Sequence, residues 1–188
     1  MLYPGNIKKT YIKETNYANR GMALEYLINK ANEYYIDNDI AFIYKKPTPI
    51  HVSKVNYVYN SKRITDAYYE APSTLDYNGL YKGYYIEFDA KETKSKTSFP
   101  LSNIHSHQID HIRNIHKHKG FVFLIIAICD KYYLLMSNTL LNFIDTESRK
   151  SIPYSFIKEH AYEINITLKG LDYLPIIDMI LEANNEKN

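Results

Sequence analysis

The sequence predicts a mixed α/β fold built around a central β-sheet. Segments with the apolar spacing of helices alternate with β-rich segments along the chain, which is the pattern of a sheet covered by helices. The 188 residues are a single-domain length, with 45% hydrophobic and 23% charged residues. The longest uninterrupted apolar stretch, Phe121 to Cys129, suits a buried strand and is too short for a membrane helix. We therefore expect residues 1–188 to form one domain.

The first part of the chain predicts a basic arm, a helix and a strand. Residues 1–15 place three lysines among turn-forming residues without apolar periodicity, so we expect a mobile arm. From Tyr17 to about Tyr35 apolar residues recur at steps of three and four, and Asn16 is suited to cap the start of this helix. A β-rich run from Ile40 to Tyr44 follows.

Residues 47–72 predict an element that projects from the domain. They begin within Lys45-Lys46-Pro47-Thr48-Pro49, where two prolines break any helix and indicate a bend. Apolar and polar residues alternate from Ile50 to Tyr59, with an irregularity expected at Ser53-Lys54. Residues 60–72 are polar and have little to bury. We expect a stalk with extended edges.

The remaining segments predict strands and helices in alternation. Thr74 to Tyr77, Asn78-Gly79 and Tyr81 to Lys91 have the pattern of strand, tight turn and strand, because Asn-Gly is the strongest short hairpin signal. A helix is expected from Ser102 or Asn103 to Lys119, with Gly120 as its stop. The last expected elements are strands at 121–128 and 131–136 joined by a tight turn, and helices at 140–144, 154–160 and 174–183.

Composition and charge are compatible with a polyanionic partner. The chain has 20 tyrosines and no tryptophan, which suits either an AT-rich genome or tyrosines that stack on bases. Residues 1–63 carry ten Lys/Arg against five Asp/Glu, whereas residues 121–188 carry six against nine. The one cysteine, Cys129, cannot form an intramolecular disulfide, and the N-terminus lacks the apolar core of a signal peptide. We therefore expect a reducing, cytoplasmic setting.

A group of oxygen ligands is predicted at the end of one strand. Alternate strand residues share a face, so Glu87, Asp89 and Lys91 project together, and Thr74 and Asp76 do the same in the preceding segment. If both faces line one cleft, two carboxylates and a hydroxyl form a hard site suited to Mg²⁺. A lysine beside such a site can stabilise negative charge in a phosphoryl-transfer transition state. The alternative is a solvated strand face with a surface salt bridge.

Gln108 adds a polar group to the apolar stripe of the next helix. It lies four residues from both Ile104 and Ile112, in the middle of that stripe. A neutral amide on an apolar face needs hydrogen-bond partners. It is therefore either a core glutamine satisfied by backbone or an amide whose oxygen is aimed at the metal cluster or its water.

Five of the seven histidines lie in the same helical region. His107 and His111 have the i, i+4 spacing of a zinc pair, but the glutamate of the H-E-x-x-H motif is absent. No cysteine or third ligand follows at metal spacing. The histidines are therefore expected to form a solvated helix face near phosphates.

Five motifs, in this order, resemble the RecU family. They are Asn19-Arg20-Gly21-Met22 with Glu25, Lys45-Lys46-Pro47-Thr48-Pro49, Ser73-Thr74-Leu75-Asp76-Tyr77-Asn78-Gly79 with Tyr81-Lys82-Gly83, Phe88-Asp89-Ala90-Lys91-Glu92-Thr93-Lys94, and Phe99-Pro100-Leu101 with His107-Gln108-Ile109. The resemblance spans roughly residues 17 to 150. Members of this family are Holliday-junction resolvases of low-GC Gram-positive bacteria and their relatives.

The resemblance implies a homodimeric, Mg²⁺-dependent endonuclease with a restriction-endonuclease-like core. Mn²⁺ is the alternative metal, and the stalk is expected to sit at the centre of a four-way DNA junction. The implied metal ligands are Thr74, Asp76, Asp89 and Gln108, and the implied catalytic residues are Asp76, Asp89, the transition-state-stabilising Lys91 and the acidic Glu25. Recombination proteins are candidate further partners, and no membrane is implied.

Basic residues near the expected site and on the stalk are the candidate DNA contacts. They are Arg20, Lys45, Lys46, Lys54, Lys62, Arg63, Lys94 and Lys96. Two positions depart from the family motifs, since Asp89 replaces a glutamate and Leu75 replaces a threonine. Aspartate serves at this position in related nucleases, so activity is still expected. Two other functions stay open, namely a phage or restriction-type nuclease acting on duplex DNA and a junction-binding protein without cleavage.

Overall fold

A computed structural model describes residues 19–59, 61–69 and 74–185 of the chain. The expected arm at 1–15 and the expected cap at Asn16 lie outside these residues. In chain order the elements are α1 (Asn19–Asp37), β1 (Phe42–Lys45), β2 (Ile50–Val58), β3 (Ser61–Tyr69), β4 (Tyr77–Tyr81), β5 (Tyr84–Glu92), β6 (Ser98–Pro100), α2 (Ser106–Lys117), β7 (Phe121–Ile128), β8 (Lys131–Met136), α3 (Ser137–Thr146), β9 (Ser151–Pro153), α4 (Tyr154–His160), β10 (Tyr162–Ile164), β11 (Ile166–Thr167), β12 (Gly170–Leu171) and α5 (Leu174–Asn185).

Six strands form the central sheet in the order β1-β4-β5-β7-β8-β10. β5 and β7 run parallel, and the other neighbouring pairs are antiparallel. The predicted α/β class with a central mixed sheet flanked by helices is therefore confirmed. Side chains of β7 enter two separate cores in alternation, Phe123 and Ile125 on one face and Val122 and Leu124 on the other.

Helices cover both faces of this sheet. α1 and α5 pack on the first core, where α1 contributes Leu24, Ile28, Ala31 and Tyr35 at helical spacing. α2, α3 and α4 pack on the second core. Among the described helices, none is both long enough and apolar enough to span a membrane.

The predicted turn at Asn78-Gly79 is wrong. Both residues lie inside β4, and the turn between β4 and β5 is made by Lys82 and Gly83, whose φ angles are 49° and 81°. A Cβ on Gly79 would lie 2.0 Å from the carbonyl oxygen of Phe42, so glycine is required here because β1 approaches closely. The predicted strand from Thr74 is also wrong, since β4 begins only at Tyr77.

The start of the predicted helix at Ser102 or Asn103 is also wrong. Residues 101–103 form a 3₁₀ turn, and extended backbone at Ile104 and His105 delays α2 to Ser106. The strands at 121–128 and 131–136 and the helix at 154–160 have the predicted bounds. The helices predicted at 140–144 and 174–183 are longer in the structure, as α3 and α5.

β2 and β3 pair only with each other and form a hairpin outside the central sheet. The register of this β2–β3 hairpin is irregular between Val52 and Val55, which confirms the irregularity expected at Ser53-Lys54. Every residue of β3 is exposed. The chain leaves the central sheet after Lys45 of β1 and enters it again at Tyr77 of β4. These two residues lie opposite each other in the β1–β4 pair.

Candidate active site

Asp89 is a buried carboxylate held by two hydrogen bonds and an ion pair. It lies in the middle of β5 and is 0% exposed. Its Oδ2 accepts a hydrogen bond from Nε2 of Gln108 at 2.6 Å and forms an ion pair with Nζ of Lys91 at 2.9 Å. Its Oδ1 accepts from the backbone N–H of Ala90 at 2.9 Å. These contacts fix the direction in which both oxygens point.

Asp76 is the second carboxylate of the site and contacts Asp89. Burial, the negative charge of Asp89 and a hydrogen bond with Asp89 together raise the pKa of Asp76 to about 6, against the opposing charges of Lys91 and Lys45. The negative charge of this acid pair is therefore only partly balanced by the neighbouring lysines. A divalent cation would neutralise the remaining negative charge. The carboxylate oxygens of Asp76 and Asp89 are therefore suitable ligands for Mg²⁺ or Mn²⁺.

A buried hydroxyl lies in the electrostatic field of the acid pair. The side chain of Tyr77 is 0% exposed, and its hydroxyl has no hydrogen-bond partner among the described residues. Burial and the charges of Glu25, Asp76 and Asp89 raise the pKa of this phenol.

A cavity of about 570 Å³ opens next to Asp76 at the root of the β2–β3 hairpin. Its lining includes Glu25, Lys45, Lys46, Thr74 and Asp76, so five of the predicted site residues share one space. Nζ of Lys45 lies 2.6 Å from Oε2 of Glu25. The structure therefore brings Asp76, Asp89, Lys91 and Gln108 together and places Glu25, Thr74 and Lys45 beside them.

Gln108 reaches the acid pair with its nitrogen and not with its oxygen. Its Nε2 donates to Asp89, while its Oε1 accepts from the backbone N–H of His105 at 3.2 Å. It is also buried, as its position on the apolar stripe predicted. Metal ligation by Gln108 stays a prediction, and in this orientation the amide holds Asp89 in place.

Glu87 is a second buried carboxylate of β5 that sequence reasoning left without a role. It is 1% exposed and accepts hydrogen bonds from Lys46, from the hydroxyl of Tyr85 at 2.6 Å and from Nε2 of His111 at 2.9 Å. Burial acts to raise the pKa of Glu87, but these three partners outweigh burial and hold the pKa below its ordinary value. We call these four residues the Glu87 cluster. The signal that pointed to it was the strand alternation that groups Glu87 with Asp89.

Four of the five histidines, His105, His107, His116 and His118, are exposed as predicted, whereas His111 is half-buried. His111 belongs to the Glu87 cluster, and Nδ1 of His116 lies 3.0 Å from the hydroxyl of the buried Ser137. His105 and His107 stack with ring centroids 5.4 Å apart. In the described part of the chain, no group of three or more His, Cys, Asp or Glu side chains is placed to hold a metal. Ligation would therefore rest on the acid pair, with neutral oxygens and water completing it.

The predicted DNA contacts fall into three places. Lys54, Lys62 and Arg63 are exposed on the β2–β3 hairpin, where the ammonium of Lys62 lies 5.8 Å from the ring centre of Tyr57. Lys94 and Lys96 line a second cavity, of about 430 Å³, beyond the end of β5. The remaining three are Lys45 on Glu25, Lys46 on Glu87, and Arg20, whose side chain lies outside the described residues.

Comparison with known proteins agrees with the motifs. A family model described as Recombination protein U matches residues 19–179. The chain belongs to the RecU family. A protein of Limosilactobacillus fermentum named Holliday junction resolvase RecU is 46% identical over 180 residues, covering 92% of this chain and 85% of that protein. One of the same name from Bacillus cereus is 44% identical, covering 92% of this chain and 90% of that protein.

The family match contains every residue of the site just described. Asp76, Asp89, Lys91 and Gln108 all lie within residues 19–179 of the RecU match. The resemblance to the RecU family that the sequence motifs predicted is confirmed by the family match.

A solved structure of Archaeoglobus fulgidus Hjc, a Holliday junction resolvase, aligns with a TM-score of 0.40 and 6% identity, over 70% of this chain and 90% of that one.

Proposed function

We propose that this chain is a Holliday-junction resolvase, an endonuclease that cuts four-way DNA junctions with the help of a divalent metal ion. The observation that carries the proposal is the contact between Asp76 and Asp89 with Lys91 beside them, in a member of the RecU family. The relatives named above carry that activity in their names. Mg²⁺ is the proposed metal, and Mn²⁺ is expected to replace it.

The acid pair and Lys91 divide the chemistry between them. Asp76 and Asp89 would hold the cation, with Thr74 and Gln108 as further candidate oxygen ligands beside them. A bound divalent ion supplies charge at the scissile phosphate and lowers the pKa of a bound water. Lys91, whose ammonium lies 2.9 Å from Asp89, places a positive charge where negative charge grows on the phosphoryl oxygens. Glu25 is held at the same cavity by Lys45 and would orient water or substrate there.

Selectivity for branched DNA belongs, in this proposal, to the β2–β3 hairpin as the stalk of residues 47–72 within a single nuclease domain. Its described residues are exposed, and it carries Lys54, Lys62 and Arg63 together with exposed tyrosines. A basic arm with aromatic side chains suits the open centre of a junction, where phosphates crowd and base stacks end.

A second copy of the chain is the proposed partner of the hairpin. Two cross-strand pairs on it are apolar, Val52 with Ala67 and Val55 with Ile64, and all four residues are exposed. An isolated two-stranded hairpin is only marginally stable in water, so we expect the dimer to cover this apolar surface. Recombination proteins remain candidate further partners, and we expect the enzyme to act on DNA in the cytoplasm.

The test of this function compares a synthetic four-way junction with a linear duplex of the same sequence, each with Mg²⁺ or with EDTA. We expect symmetric nicks in the junction with Mg²⁺, no cleavage with EDTA, and little cleavage of the duplex. Equal cleavage of the duplex would favour a phage or restriction-type nuclease. Binding to the junction without cleavage in either Mg²⁺ or Mn²⁺ would favour a junction-binding protein.

A further inference from the structure

The Glu87 cluster joins the root of the β2–β3 hairpin to the catalytic strand. Glu87 precedes Asp89 by two residues, so both side chains leave the same face of β5. Lys46, which donates to Glu87, is the residue before Pro47, where the chain turns towards the hairpin. The backbone N–H of Lys46 also donates to the carbonyl oxygen of Asp76 at 2.7 Å. The side chain of Lys46 therefore contacts Glu87, two residues before Asp89, and its backbone contacts Asp76.

α2 is tied to the cluster at one point and to the acid pair at another. His111 donates to Glu87, and Gln108, three residues earlier on the same helix, donates to Asp89. Two separate elements, the hairpin root and α2, thus meet on two carboxylates of β5. Glu87 is 1% exposed and Lys46 is 23% exposed, so water competes little for these contacts.

We infer that Glu87 is a positioning residue, which through Lys46 fixes the root of the hairpin relative to Asp76 and Asp89. This inference rests on the proposed function and adds a division of roles to it. Lys46, predicted as a DNA contact, acts on Glu87 and not on a phosphate. The basic residues that bind DNA on the hairpin are then its exposed ones, Lys54, Lys62 and Arg63.

The length of the hairpin explains why its root has to be fixed. Each strand has nine residues, so the hairpin is about 30 Å long. A tilt of about 10° at the root would move the tip of an arm of that length by about 5 Å, more than the axial rise of about 3.4 Å between successive phosphates of one DNA strand. Because a misplacement of about 1 Å can already cost about 10²-fold in rate, a loose root would separate binding from cleavage.

The test is a double-mutant cycle with Glu87→Gln, Lys46→Met and the double variant, and with Asp145→Asn as the control. Asp145 forms an exposed ion pair with Arg113, away from the acid pair, so its loss should change nothing. We expect each single variant to bind the junction within about 3-fold of wild type and to cut about 10²-fold more slowly in single-turnover reactions. The cut positions should spread over neighbouring phosphates. The double variant should cut no more slowly than the slower of the two single variants.

The salt dependence of binding separates positioning from phosphate contact. For a positioning residue, the slope of log Kd against log salt is the same in Lys46→Met as in wild type. A slope smaller by about one, with junction and duplex binding weakened equally, would assign Lys46 to a phosphate and overturn the inference. Multiplied losses of rate in the double variant would overturn it as well.

Two further measurements keep the inference open to refutation if a variant or the proposed function fails. Should Glu87→Gln not fold, Lys46→Met must slow cleavage and Lys46→Arg must restore at least a tenth of the wild-type rate, and failure of either outcome contradicts the inference. Hydrogen exchange of the free protein needs no activity. Faster exchange at residues 44–49 in Lys46→Met than in Asp145→Asn supports the link to the hairpin root even if wild type cuts no junction, and unchanged exchange refutes it.

Discussion

The two carboxylates of the acid pair have unequal surroundings. Asp89 is fully buried, accepts hydrogen bonds from Ala90 and Gln108 and forms an ion pair with Lys91, so its position is set before any ligand binds. Asp76 lines the open cavity, and its charge is opposed by burial and by Asp89. In the proposed site, Asp89 would therefore be a fixed ligand, whereas Asp76 would respond to what occupies the cavity.

Removal of the charge of Asp76 or of Lys91 should separate binding from cleavage. We expect Asp76→Asn and Lys91→Ala each to reduce single-turnover cleavage of a four-way junction at least 10²-fold, because each removes charge at the reacting phosphate. Junction affinity in Ca²⁺ should change less than about 3-fold, since it comes from many lysine and arginine contacts to phosphates. Undiminished turnover in Asp76→Asn would exclude the assigned site, and an equal loss of binding would indicate a misfolded variant.

The raised pKa of Asp76 predicts how stability depends on pH without metal. Between its ordinary value of 3.8 and about 6, native Asp76 retains a proton that the unfolded chain has lost, so stability should fall as pH rises through this window. Asp76→Asn should therefore melt above wild type in EDTA, by about 2–4 °C for each kcal/mol gained, with a gap that widens from pH 4 to pH 6. Mg²⁺ at pH 7.5 should stabilise wild type and leave the variant unchanged. Calorimetry showing a constant gap across this pH range would contradict the prediction.

Asp89 departs from the glutamate usual in its family, and the change should be tolerated. Asp89→Glu should cut within about tenfold of wild type, because the metal retains several waters and a longer side chain still reaches it. Asp89→Asn should lose cleavage, because one of the two ligand charges is gone. Cleavage rates of the Asp89→Glu and Asp89→Asn variants, measured in Mg²⁺ and in Mn²⁺, test this prediction. Equal rates for the two variants would mean that Asp89 binds no metal.

At the scale of elements, the pairing of β1 with β4 determines where the hairpin and the acid pair lie. β1 carries Lys45, β4 begins just after Asp76, and their register places Lys45 opposite Tyr77. Gly79 allows this pairing because its missing side chain leaves room for the backbone of β1. The cavity beside Asp76 depends on the same pairing.

Gly79→Ala should therefore destabilise the protein, whereas Gly83→Asn should not. The added Cβ at Gly79 would lie 2.0 Å from a backbone oxygen, so we expect a loss of about 1–3 kcal/mol or more and a weaker β1–β4 pair. Gly83 has a positive φ, which asparagine tolerates, and no atom lies within 4 Å of a Cβ built there, so its variant should lose less than about 1 kcal/mol. Urea unfolding of both variants gives the comparison, and a stable Gly79→Ala would mean that β1 does not pair as described.

Local patterns predicted the elements whose cause is local. The strands at 121–128 and 131–136 are continuous apolar runs joined by a two-residue turn, and their bounds were predicted correctly. Asn78-Gly79 was misassigned because the same dipeptide suits a tight turn and a close strand approach, and only the position of β1 distinguishes the two. The delayed start of α2 likewise depends on packing of Ile104 in the second core.

The same limit applies to the site. Strand alternation placed Asp89 with Lys91, and the apolar stripe singled out Gln108, because both patterns repeat over short distances. The cluster around Glu87 was not predicted, since its partners Lys46 and His111 lie 41 and 24 residues away in the chain. Contacts of that kind need the fold before they can be assigned.

At the scale of the whole molecule, the proposed sites of recognition and of cleavage lie in different parts of the chain. The β2–β3 hairpin pairs with no strand of the central sheet, and the acid pair lies at the sheet itself. Its exposed basic residues are therefore free to contact DNA without any change to the core. This separation predicts that selectivity can be removed while folding and nuclease chemistry remain.

Replacement of residues 53–70 by a short Gly/Ser linker should abolish the preference for junctions. We expect the protein to fold and to keep salt-sensitive duplex binding, because the remaining basic residues still contact phosphates. Neutralising Lys54, Lys62 and Arg63 together, with the hairpin intact, should also reduce the preference for junctions over duplex. Competition binding of junction against duplex at matched salt measures it, and a retained preference would show that another surface reads the junction.

The direct pairing of Lys45 with Tyr77 also has an evolutionary consequence. β1 and β4, which flank the hairpin in the chain, pair directly with each other. Insertions, deletions or replacements between residues 50 and 69 therefore leave the register of the other strands unchanged. If the hairpin selects the DNA as proposed, descendants of one nuclease can therefore acquire new DNA targets by exchanging this segment, while the acid pair evolves under separate selection.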